Sequence, residues 1–110
     1  MIQAVFLRRE GKYAGVRITG HSGYAEEGSD IVCAAASSLA VTCVNSLESL
    51  LDVRVQVRGG VSGLLSFDLP EVPAEKEAGV QLLLGAMKQG FSDLQDAWPA
   101  YVKLEIKERR

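Results

Sequence analysis

The chain has 110 residues, 47% of them hydrophobic and 24% charged, with a formal net charge of −2. That length buries a core as one domain, residues 1–110, without disulfides or metal, and the composition excludes a disordered chain. Basic residues fall in scattered pairs (Arg8 with Arg9, Arg54 with Arg58) and not in the stripe that nucleic acid attracts, so no direct nucleic-acid partner is expected. The apolar runs span only a few residues against the roughly 20 of a membrane crossing, and Met1–Glu10 lacks the order of a signal peptide. The expected location is the cytoplasm, with no membrane partner.

Met1–Arg8 places Ile2, Ala4 and Phe6 on one face and Val5 and Leu7 on the other, which predicts a strand covered on both sides. Glu10-Gly11-Lys12 reads as a tight turn, and Tyr13–Thr19 alternates as the returning strand of a hairpin. After the glycine-spaced loop 20–29 the period changes to that of a helix, from Asp30 to about Leu51. Its expected apolar stripe is Ile31, Ala35, Leu39, Cys43, Leu47 and Leu50. Val53, Val55 and Val57 alternate with Arg54, Gln56 and Arg58 as a strand, Gly59-Gly60 signals a hairpin, and Leu65–Leu69 returns. Pro73 opens a second helix with acidic residues at its positive end, and Val80, Leu84, Met87, Phe91 and Trp98 keep helical spacing up to Pro99. Tyr101–Lys107 closes the chain, with Val102, Leu104 and Ile106 inward. The order ββαββαβ predicts an α/β (α+β) fold, a mixed sheet packed with two long helices in a single domain.

Chemistry concentrates in residues 20–38, GHSGYAEEGSDIVCAAASS, which hold the chain's one histidine. With Asp30 as N-cap, Cys33 becomes the third helical residue, where free N–H groups and the positive end of the helix dipole favour a thiolate. His21, at the end of the preceding strand, has enough intervening loop to reach that thiol as a general base. Spacing alone leaves a second possibility open, a small buried cysteine beside a surface histidine. Cys33, His21 and Asp30 make at most three ligands without zinc-like spacing, and no Lys-Ser/Thr pair follows the glycines. Neither a metal nor a phosphate-binding loop is expected, and no cofactor. Cys33 and Cys43, ten residues apart in one helix, cannot bridge each other. Cys43 belongs to the core, and Met87, Phe91 and Trp98 to the core or a dimer interface.

The run Gly20-His21-Ser22-Gly23-Tyr24-Ala25, followed by Gly28-x-Asp30-Ile31-Val32-Cys33-Ala34-Ala35-Ala36-Ser37, resembles the signature of the ribosomal-processing cysteine protease family. Length and element order extend the resemblance over the whole chain, with Ser22 standing where alanine is expected, a departure of small consequence. The resemblance implies a bacterial, cytoplasmic, homodimeric endopeptidase. Its implied substrate is the N-terminal extension of a large-subunit ribosomal protein, the twenty-seventh of that series. It makes Cys33 the nucleophile, His21 the general base and Ser37 a further motif residue.

The residues add finer expectations. Ser37, one turn beyond Cys33, either bonds the thiolate or substrate or is satisfied by the carbonyl of residue 33. Asp30 is favoured as a helix cap over an orienter of His21. The dyad has no third member, and amides at the helix start form the expected oxyanion hole. Gly20, Gly23 and Gly28 suit a segment that closes over a peptide. The rival to a protease is a non-enzymatic ribosome-associated module that holds a peptide or RNA on the same surface. A small dimerisation domain, resting on the apolar helix 74–98, is a third.

Overall fold

The computed structural model describes residues 1–26, 29–59 and 64–109. Strands β1 (Ile2–Arg9) and β2 (Lys12–Gly20) form the hairpin, joined at Glu10 and Gly11 with φ of 53° and 79°. Two positive φ values in succession give the primed turn whose twist matches that of the strands. Helix α1 (Ile31–Leu51) follows, then the two-residue strand β3 (Arg58–Gly59), β4 (Leu65–Asp68), α2 (Ala74–Ala97) and β5 (Val102–Glu108). The sheet order is β3-β4-β2-β1-β5, and only the β1–β5 pairing is parallel. The expected element order and mixed sheet are therefore present.

Ala4 lies opposite Ile18, and Val16 lies between Phe6 and Phe67, so the fully buried strand residues share one face. Both helices pack there in a two-layer sandwich. The large side chains of Phe6, Phe67, Phe91 and Leu47 fill its core, each stabilising by roughly 1.5–3 kcal/mol on burial. Val5 and Leu7, on the opposite face, are half-buried, so β1 is not covered on both sides.

Three other expectations need correction. The buried ridge of α1 is Val32, Ala36, Ala40, Cys43 and Leu47, while Ile31 and Leu50 are 55% and 69% exposed. Apolar and small residues occupy neighbouring positions around this helix, so the true stripe lies one residue over in its first turns. The same richness makes α1 long and apolar enough by composition to cross a membrane, although its ridge is built into the core. Val53–Val57 is not a sheet strand; pairing begins at Arg58, opposite Ser66. The Gly59-Gly60 turn lies partly outside the described residues. On β5, Ile106 is 43% exposed, because β5 is the edge strand and has no neighbour on its outer side.

The two helices approach closely at small residues. A Cβ on Gly90 would lie 2.7 Å from Leu39 Cδ2, and one on Gly79 would lie 3.0 Å from Leu51 Cδ2. The leucines of α1 thus seat on glycines of α2 and fix the position of α1 against its neighbour.

Candidate active site

Every candidate residue lies between the end of β2 and the second turn of α1. Gly20 ends β2 opposite Ile2 with φ of +89°, and a Cβ there would stand 2.2 Å from the Met1 carbonyl oxygen. Only glycine fits both the backbone and the space. Gly20 is therefore a fixed strand end and not a hinge. Gly23 has a φ of +72° with open space where a Cβ would stand, and Gly28 lies outside the described residues.

His21 follows directly and is exposed. It borders a groove of about 440 Å³ between the end of β2 and the β3–β4 pair, with Arg17, Thr19, Arg58 and Ser66 also on its walls. Arg17 is held by Asp68, which also takes Arg109 at 2.7 Å, and Arg58 reaches the same carboxylate at 3.5 Å. The Arg17 and Arg109 guanidiniums push the Asp68 pKa down to about 2.

Asp30 is the N-cap of α1, as favoured. Its Oδ1 accepts the Val32 and Cys33 backbone N–H groups at 3.0 and 2.9 Å. Its Oδ2 accepts the Ser22 hydroxyl and, at 3.4 Å, the Ala25 N–H. The Ser22 bond and the backbone amides hold the Asp30 pKa below its ordinary value, so the cap carries full charge at neutral pH. Asp30 makes no direct hydrogen bond to His21; its tie to that segment runs through Ser22.

Cys33 is half-buried in the first turn and packs against the core, with Ser37 half-buried one turn further on. Among the described residues no hydrogen bond joins the His21 imidazole to the Cys33 thiol. The two are instead linked through the cap: Ser22 neighbours His21, Asp30 binds Ser22, and the same carboxylate binds the Cys33 N–H. Tyr24 steadies the loop by meeting Tyr101 edge to face, with ring centroids 5.3 Å apart. Among the described residues, no three of His, Cys, Asp and Glu gather as metal ligands.

Sequence reasoning misjudged two points here. Among the described residues Ser22 is the one buried polar side chain, 3% exposed, and it ties the loop to the helix. A small polar residue in a glycine-rich loop carries no periodic signal, so only its eight-residue separation from a capping Asp hints at that bond. The amides offered as an oxyanion hole are occupied: Val32 and Cys33 donate to Asp30 Oδ1, and Ala34 N–H donates to the Asp30 carbonyl at 3.0 Å.

A half-buried thiol in a capped first turn, with a histidine-bearing strand end tied to that cap, is compatible with one class in particular, and the family match places the chain there, among the cysteine proteases. Within it, the chain belongs to the cysteine protease Prp family, whose model matches residues 1–103. A Bacillus subtilis ribosomal processing cysteine protease Prp is 34% identical over 95 residues, 79% of this chain and 80% of that protein. A crystal structure from Streptococcus mutans, 39% identical, superposes with a TM-score of 0.84 over 99% of this chain and 96% of that one. The Staphylococcus aureus ribosomal processing protease Prp, solved with a covalently linked product peptide, is 26% identical. It superposes with a TM-score of 0.85 over 97% of this chain and all of that one (100%).

Proposed function

We propose that this chain is the endopeptidase that removes the N-terminal extension of a large-subunit ribosomal protein, the twenty-seventh of its series, with Cys33 and His21 as its dyad. One observation carries the reading. The two oxygens of Asp30 engage the turn that bears Cys33 and the segment that bears His21. The covalently linked product peptide in the Staphylococcus aureus relative supports a nucleophile that bonds its substrate.

In this mechanism His21 takes the Cys33 proton as Sγ attacks the scissile carbonyl carbon. The C–N bond breaks, and the proton passes from His21 to the departing amine. Water, deprotonated by His21, then hydrolyses the thioester and returns the thiol. Asp30 holds the Val32 and Cys33 amides, so these two cannot serve the oxyanion while the cap stands. The tail enters along the groove beside His21, and Gly23 lets the loop adapt to it.

Two further parts complete the reading. The family resemblance extends the proposal to a homodimer. The two free cysteines suit the reducing bacterial cytoplasm. Mass spectrometry of the ribosomal protein precursor, incubated with the parent and with Cys33→Ala, tests the proposal. Shortening by the parent alone is expected, and shortening by the variant sinks it.

A further inference from the structure

We infer that Ser22 is a positioning residue for His21, acting through the second oxygen of the helix cap. The inference rests on the proposed dyad and goes beyond it, because it assigns a role to a side chain that touches neither thiol nor substrate.

Three observations converge. Ser22 is 3% exposed, whereas its neighbours His21 and Gly23 are exposed, so the chain turns this one side chain inward. Its hydroxyl donates to Asp30 Oδ2 and accepts the Tyr24 N–H at 3.1 Å, which uses its hydrogen and one lone pair. The Ala25 N–H, 3.4 Å from the same Oδ2, adds a second strand to the tie. The other oxygen, Oδ1, is committed to the Val32 and Cys33 amides.

One carboxylate therefore divides its work. Oδ1 fixes the turn that carries the nucleophile, and Oδ2 fixes the loop that carries the base. A hydroxyl bonded to a carboxylate is stronger than a neutral pair. On the other side, Gly20 is locked against the Met1 carbonyl. His21 thus stands between two anchored neighbours, with its backbone set relative to the Cys33 turn before substrate arrives. Such preorganisation acts on rate, because a displacement of about 1 Å between reacting groups can cost about 10²-fold.

Ser22→Ala removes the hydroxyl while leaving Oδ1 and the helix cap in place, and alanine adds no atom to the buried site. The expected result is a kcat lower by roughly tenfold and a Tm lower by a few degrees, with KM and the alkylation rate of Cys33 by iodoacetamide nearly unchanged. The single histidine of the chain makes its imidazole resonances an unambiguous probe. They should broaden or split in Ser22→Ala, and the Tyr24 amide should exchange with solvent roughly tenfold faster.

In an Asp30→Asn background the amide nitrogen can donate to Ser22 Oγ in a weaker neutral bond, so Ser22→Ala should cost clearly less in kcat there than its tenfold loss in the parent. A kcat within twofold of the parent, with an unchanged histidine spectrum, overturns the inference and leaves the dyad standing. So does a kcat loss matched by slower alkylation, which would place the effect of Ser22 on Cys33. A full tenfold loss persisting in the Asp30→Asn background overturns the route through Asp30. If Cys33→Ala still cleaves, the dyad itself fails and the positioning role goes with it, whatever the spectra show.

Discussion

Helix α1 carries two cysteines in opposite circumstances. Cys33 sits half-buried in the capped first turn, with its N–H on Asp30 and the loop of His21 tied to the same carboxylate. Cys43, ten residues on, is 5% exposed with its sulfur 3.9 Å from the Leu83 carbonyl, and burial pushes its thiol up to about 11. A raised value of that kind keeps the thiol protonated and inert at neutral pH. One residue type on one helix is thus a candidate nucleophile at the end and packing material in the middle. Solvent access and a place at the capped helix end make the difference.

Exchanging the roles tests this contrast most severely. Cys33→Ala should lower cleavage of the precursor peptide by roughly 10³-fold or more, whereas Cys43→Ala should leave kcat within about twofold. Comparable losses from both in a peptide assay would collapse the distinction. Labelling is the next largest effect: limiting iodoacetamide at pH 7.5 should modify Cys33 and spare Cys43 by a ratio of roughly 100 or more until the fold is denatured, as read by peptide mass mapping.

Stability should invert the order. Cys43→Ala removes a buried sulfur and should cost about 1 kcal/mol in denaturant unfolding, while Cys33→Ala should cost less. Asp30→Ala removes the cap from the Cys33 end only, and a fall in Tm of roughly 5 °C is expected, together with loss of cleavage. The smallest effect belongs to a control distant from both thiols. Asp68, held low by Arg17 and Arg109, contributes stability that is present above its unfolded value of about 3.8 and is lost as pH falls through about 2. Melting curves between pH 5 and 2 should therefore converge for the parent and Asp68→Asn. Because the pair is partly exposed, their separation at neutral pH should stay within about 5 °C.

How much of this was legible in the sequence depended on whether the signal was local. Asp30 was readable as a cap because a carboxylate at that position finds free amides whatever surrounds it. The alternation of Val53, Val55 and Val57 was equally clear, yet a strand also needs a partner edge. β2 is already paired by β1 and β4, and pairing on the far side of β4 starts only at Arg58. The ridge of α1 was displaced by a residue because Ile31 and Val32 are both apolar, and only tertiary packing chose between them. Gly20 carried its own ambiguity: a glycine written as a hinge looks the same as one pinned beneath a carbonyl. Ser22 was invisible for a related reason, since its burial depends on Asp30 standing eight residues away. For His21 and Cys33, spacing offered a candidate pair, and the family signature, extending to Ser37, turned the candidate into an expectation.

The seating of Leu39 on Gly90 and of Leu51 on Gly79 has a consequence for how this sequence can vary. Each leucine end and the glycine beneath it share one space, so a change in one displaces the other. Gly90→Ala should force the end of Leu39 to shift, and its cost should fall when residue 39 is made smaller, as coupled energies in a double-mutant cycle. The registration of the two helices is thus recorded in compensating sizes, and relatives that enlarge one partner are expected to shrink the other.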